Sequence, residues 1–157
     1  DNTGTVTDKT SVLVEFATDQ NKGIILPYCQ TLPSGSGLAE GTILLDSTNP
    51  TSAKVKYYNG SWQDLSVGNG ANISSYLSIQ PTTITELTTQ GAIIGSSTSP
   101  VNGTLILESS DKAMVLPMVE STDNIPDPAP GMMVYINKTG LKRLAVYNGA
   151  KWTFWKP

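Results

Sequence analysis

One stretch returns along this chain and limits what it can fold into. Val55 to Leu65 reads VKYYNGSWQDL, and Leu144 to Trp155 reads LAVYNGAKWTFW. Each has an alternating run, an Asn-Gly turn and a Trp that opens a returning run, which is the pattern of a β-hairpin. The correspondence extends upstream. Leu26-Pro27 in KGIILPYC returns as Leu116-Pro117 in KAMVLPMV, and Ala39-Glu40-Gly41 before TILLD returns as Ala129-Pro130-Gly131 before MMVYI. The chain is therefore expected to hold two tandem copies of a short-strand unit, over 1–66 and 92–157, joined by a connector with extra strands over 67–91. Units of about sixty residues bury little core alone, so the copies are expected to pack on each other or on a neighbouring subunit.

Composition agrees with short strands and polar turns. Only 15% of the 157 residues are charged and the net charge is −3, while Thr and β-branched residues suit strands and Gly, Asn and Ser suit turns. The acidic balance and the lack of any Lys/Arg cluster argue against nucleic acid. No run approaches the roughly twenty apolar residues of a membrane span. A start at Asp1 without Met is compatible with a processed secreted protein and also with a chain trimmed from a longer one. The single cysteine, Cys29, lies in the apolar run IILPYC and reads as a buried, inert thiol.

In chain order, Asp1 to Thr10 is a polar lead-in and Ser11 to Ala17 is a strand with Val12, Val14 and Phe16 on one face. A turn over Thr18 to Gly23 leads to a strand from Ile24 to Cys29, whose Pro27 must fall at an edge, a bulge or a strand end. Thr42 to Asp46 and the first hairpin complete the unit. Ser66 to Asn72 is a Gly- and Asn-rich connector, and Ser74 to Leu87 holds two alternating runs interrupted by Pro81. Thr83 to Gly91 is the nearest approach to a helix, against which its Thr content argues. Gly91 to Gly95, Thr104 to Glu108, Ala113 to Val119, Met132 to Ile136 and the second hairpin supply the remaining strands. The fold class is all-β, packed as a β-sandwich-like or extended β architecture.

The chain contains no histidine, which removes Ser-His-Asp and Cys-His nucleophilic sites and the usual zinc sets. Its carboxylates are scattered over turns and strand ends, and Asp123 to Asp127 lacks the ligand spacing of a calcium loop. The chain is expected to be no enzyme, with no catalytic residues, no metal and no cofactor. Tyr58 with Trp62 and Tyr147 with Trp152 are candidate hairpin or sugar-stacking aromatics, with cross-strand stabilisation the favoured role. Candidate assembly strands carry Val12, Val14 and Phe16 at one end and Phe154 and Trp155 at the other. Ser47, in Asp46-Ser47-Thr48, is a candidate O-glycosylation acceptor in an exposed turn.

The motifs TLILESSDKAMVLP, PAPGMMVYIN and VYNGAKW of the second copy, and LVEFATDQNKGIILP, AEGTILLD and YYNGSW of the first, resemble a module common in secreted proteins of Bacteroidetes and in the tail fibres of phages. The first copy departs from it by carrying Glu40 for the loop Pro and LLDS for VYIN. The resemblance implies an exported, β-rich surface or fibre component and transfers no catalytic residues. The expected role is a non-enzymatic structural subunit of an extracellular filament or cell-surface assembly that self-associates by edge-strand pairing. The alternatives are a tail-fibre segment, expected to be trimeric, or a carbohydrate-binding adhesin. Expected partners are other copies of the chain and, for those alternatives, glycans or a host receptor.

Overall fold

A computed structural model describes residues 6–16, 20–68, 70–81 and 91–156. The first five residues of the lead-in, the end of the Ser11 to Ala17 run with the start of the turn after it, and most of the Thr83 to Gly91 stretch lie outside the described residues. The strands are β1 (Val12–Glu15), β2 (Ile24–Ile25), β3 (Tyr28–Cys29), β4 (Ile43–Asp46), β5 (Lys54–Tyr58) and β6 (Trp62–Asp64), followed by a helix α1 (Ser74–Ser78). Then come β7 (Ala92–Ile94), β8 (Leu105–Leu107), β9 (Ala113–Val115), β10 (Met118–Val119), β11 (Met132–Ile136), β12 (Arg143–Tyr147) and β13 (Trp152–Trp155). The protein is all-β in class, as the turn-rich composition predicts.

The two copies build the same sheet. In the first, the order is β3-β4-β5-β6, with β3 parallel to β4 and the rest antiparallel. In the second, β10-β11-β12-β13 repeats that order and those directions. The hairpins close through glycines in the left-handed region, Gly60 at φ 86° and Gly149 at φ 110°, where a side chain would be strained. The turns are not identical. Asn148 is buried, and its Oδ1 accepts from the N–H groups of Ala150 and Lys151 at 2.9 and 3.0 Å.

The expected single strands over Ile24 to Cys29 and Ala113 to Val119 are each split at Leu-Pro. Proline has no N–H to give to a ladder, and at both sites its carbonyl turns to the neighbouring strand instead: Leu45 N–H donates to Pro27 O at 3.0 Å and Tyr135 N–H to Pro117 O at 2.9 Å. The halves go to different places. β3 stays on its own sheet, whereas β2 crosses to the second sheet and runs antiparallel to β11, with Ile25 opposite Met132 and Ile24 opposite Met133.

A single hydrophobic cluster joins the copies, with Leu26, Leu45, Val55 and Leu65 from the first and Met133 and Val146 from the second. The connector is part of it. Ala71 pairs with Ala53, and Ile73 is fully buried. Burying a side chain such as Leu45 or Ile73 contributes about 1.5–3 kcal/mol, so this shared core binds the sheets into one structure. The start of the expected alternating run at Ser74 is instead α1, an outcome that corrects the strand reading there. Asn72 Oδ1 accepts from the N–H and hydroxyl of Ser74, at 3.1 and 2.8 Å, and turns the chain into the helix. Two smaller parallel pairs complete the fold, β1 with β9 and β7 with β8.

Candidate assembly edges

The hairpin aromatics sit where strand pairing puts them. Tyr58 is directly opposite Trp62 and Tyr147 opposite Trp152, with ring centroids 5.3 and 5.2 Å apart and the planes tilted. Each pair spans its own hairpin, and tilted rings at that separation stabilise the strands carrying them by ~0.5–1.5 kcal/mol beyond burial. Burial pushes the Tyr147 phenol above its ordinary pKa, with the Tyr76 phenol of α1 adding to the effect. Tyr28 is raised for the same two reasons, burial first.

The C-terminal strand β13 closes the second sheet, with no strand on its outer edge among the described residues. Its side chains reach the first unit: Thr153 Oγ1 donates to Ser66 O at 2.9 Å and Trp155 Nε1 to Leu65 O at 3.0 Å. Phe154 is 45% exposed and lies under the guanidinium of Arg143, 5.6 Å from its ring centre. Val12, Val14 and Phe16 are half-buried. β1, which carries the first two, already pairs with β9 along one edge.

Ser47 is not in an exposed turn. It is 1% exposed, with its backbone N–H donating to Cys29 O at 2.9 Å, because β4 continues beside β3 to this point. Thr48 is the exposed residue of that triplet. Its hydroxyl and N–H both donate to Asp46. Asp46 also pairs with Lys56 at 2.6 Å. Burial pushes the Asp46 carboxyl upward in pKa, but the hydrogen bonds from Lys56 and Thr48 and the Lys56 charge together outweigh it, leaving the group below its ordinary value.

No set of three or more Cys, Asp or Glu side chains converges to hold a metal ion among the described residues. No helix among them is long and apolar enough to cross a membrane. What the fold does present is main-chain edge. Sequence reasoning placed edges at the chain ends and missed the arm Ile24–Ile25 that crosses between sheets. The proline that ends it, repeated at Pro117, was the available signal.

Residues 93–156 match a family model described as phage tail like trimerisation region. The match covers less than half of the chain, but it takes in every strand of the second unit from β8 to β13. It supports the tail-fibre side of the resemblance and a structural, self-associating element. No curated protein and no solved structure matches the chain.

Proposed function

We propose that the chain is a non-enzymatic structural segment of an extracellular, tail-fibre-like assembly that self-associates as a trimer through strand edges. The similarity of residues 93–156 to a trimerisation region carries this reading, and the outer edge of β13, unpaired among the described residues, and the duplicated sheet are consistent with it. Main-chain hydrogen bonds along an edge supply affinity, and alternate side chains supply register. In this reading 1–66 and 92–157 are repeat units of sequence joined by 67–91, and not separate bodies, since one core spans them. Assembly through Val12, Val14 and Phe16 or through Phe154 and Trp155 belongs to the same proposal. The glycan-binding alternative is not carried forward, because both aromatic pairs engage their own hairpins.

Native mass spectrometry of the purified chain, with light scattering across a range of concentration, tests the reading. A discrete trimer is the expected species. An open series of polymers would replace the trimer with the filament role, and a monomer at every concentration would overturn self-association altogether.

A further inference from the structure

The two units correspond residue by residue, yet one interaction of the pair is made only once. The arm β2 ends with Leu26 N–H donating to Gly131 O at 3.1 Å, and Ile24–Ile25 lie antiparallel to Met132–Met133. Through the Leu-Pro and Gly motifs, the matching arm of the second unit is Met114–Leu116, and the matching edge of the first sheet is Gly41–Ile43. These two do not meet within the chain: β9 pairs only with β1, and β4 only with β3 and β5, among the described residues.

Among the described residues no strand pairs with the relevant side of either, while the side chains of Leu116 and Ile43 pack against the shared core of their own chain. Ala113 N–H donates to Ser11 O at 2.8 Å, so Ala113 and Val115 turn their main-chain groups toward β1 and the residues between and after them turn the other way, as alternation along a strand requires. Those are Met114 and Leu116, the counterparts of Ile24 and Leu26. On β4, Leu45 and Ser47 donate toward β3, which places Ile43 on that same side, where β3 does not reach. The space around the two glycines differs accordingly. A Cβ built on Gly131 would meet Leu45 Cβ at 3.3 Å and Leu26 O at 3.5 Å, whereas one built on Gly41 would meet nothing within 4 Å.

We propose that Met114–Leu116 of one chain adds to the edge of β4 in a second copy of this chain, with Leu116 N–H to Gly41 O, Met114 opposite Ile43 and Val115 opposite Thr42. The proposal rests on the self-association proposed above and names its contact. The occupant follows from the repeat itself, since β2 on β11 shows how such an arm sits. A twofold relation between the units would have brought β9 onto β4 of its own chain. It is not there, so the relation is head-to-tail, and head-to-tail contacts close into rings or continue as fibres. Side-chain size at one contact favours β4 over β11 as the acceptor. Gly23 lets β2 lie against β11, because a Cβ there would stand 2.5 Å from Met132 Cγ. Its counterpart is Ala113, which brings that Cβ, and the counterpart of Met132 on β4 is the shorter Thr42. The same built Cβ would also stand 2.7 Å from Met133 O and 2.8 Å from Val134 Cγ1, whose counterparts are Ile43 O and Leu44, so the pairing requires the arm to lie further from β4 at Ala113 than β2 lies from β11 at Gly23.

The test uses the full chain with Cys29→Ser, Thr42→Cys and Val115→Cys. Position 42 opposite 115 corresponds to Met132 opposite Ile25, next to a hydrogen-bonded pair, where Cα atoms stand about 4.5 Å apart and a disulfide can form. Mild oxidation should link chains through 42–115 in most molecules, read by non-reducing electrophoresis and peptide mass mapping. Chains carrying only one of the cysteines should cross-link efficiently only when the two types are mixed. A Met132→Cys, Val115→Cys chain reports the competing arrangement, in which β9 displaces β2 from β11. Oligomers by native mass that lack the 42–115 link, or that favour 132–115, overturn this contact and leave self-association standing; a monomer overturns both. Hydrogen exchange on the unsubstituted oligomer is independent of the cysteines: the Ile43 and Leu116 amides should be protected to within tenfold of the Leu26 amide, and exchange a hundredfold faster than Leu26 overturns the pairing.

Discussion

The two sheets share strand order and register but are held together by different chemistry on one face. In the first, Asp46 pairs with Lys56 at 2.6 Å and Lys54 with Asp64 at 2.9 Å. In the second, Ile136 and Ala145 stand in place of Asp46 and Lys56 and join Val119, Ile125, Met132 and Val134 in an apolar cluster, while Arg143 over Phe154 replaces Lys54 with Asp64. The backbone pattern is thus indifferent to whether this face is ionic or apolar, provided the pair is changed together. The apolar version belongs to the unit that matches the trimerisation region.

The largest effect is expected from breaking that pairing on one side. Ile136→Asp places a carboxylate in a site 6% exposed, opposite Arg143, whose guanidinium is already engaged over Phe154 and with Leu141 O, and should cost about 3–5 kcal/mol, read as a lowered urea midpoint. Adding Ala145→Lys recreates the first sheet's pair and should recover part of the loss; no recovery would show that the two faces are not interchangeable. Next, Leu26→Ala removes a buried residue at the point where the arm joins the sheets, and should cost about 2–4 kcal/mol. Ile25→Ala, at a side chain 57% exposed on the same arm, should stay within ~0.5 kcal/mol.

The hairpin glycines sharpen the comparison further. A Cβ at Gly149 would stand 2.8 Å from Ile73 Cγ2, whereas at Gly60 the nearest atom is Glu40 Oε1 at 3.7 Å. Gly60→Ala should therefore carry only the positive-φ penalty of about 1 kcal/mol, and Gly149→Ala should cost at least twice that, by the same denaturation measurement. The smallest effect concerns pH. The folded Asp46 carboxyl lies below its ordinary value of 3.8, burial raising it and the Lys56 and Thr48 hydrogen bonds more than offsetting this. A depressed carboxyl contributes stability that is present above the unfolded value and is lost as pH falls through the folded one. Asp46→Asn should lower stability at neutral pH and flatten its decline below about pH 4, and an unchanged acid limb would remove Asp46 from that account.

Much of the fold was legible in local pattern. The Asn-Gly turns, the Trp opening each returning strand and the Leu-Pro breaks state their geometry within a few residues, because turn dihedrals and the missing proline N–H act over that range. Ser74 to Ser78 misled, since Ser, Tyr and Leu in a short run have no decisive period, and the Asn72 turn that precedes the helix is not a side-chain cap on it. Ser47 was misplaced because β4 runs one residue further beside β3 than its sequence shows. The candidate aromatics were found with their partners, whereas the crossing arm was not.

The amino-acid order alone determined that two matching β units exist, where their hairpins turn and where their long strands break. Only the tertiary structure decided that β2 leaves its own unit for β11 while β3 stays, and that Ala71 and Ile73 belong to the core. The reason is that a strand's free edge is chemically the same to every other strand. Its choice of partner depends on burial and on side-chain size across the contact, here Gly23 against Met132, and those meet only when distant parts of the chain come together.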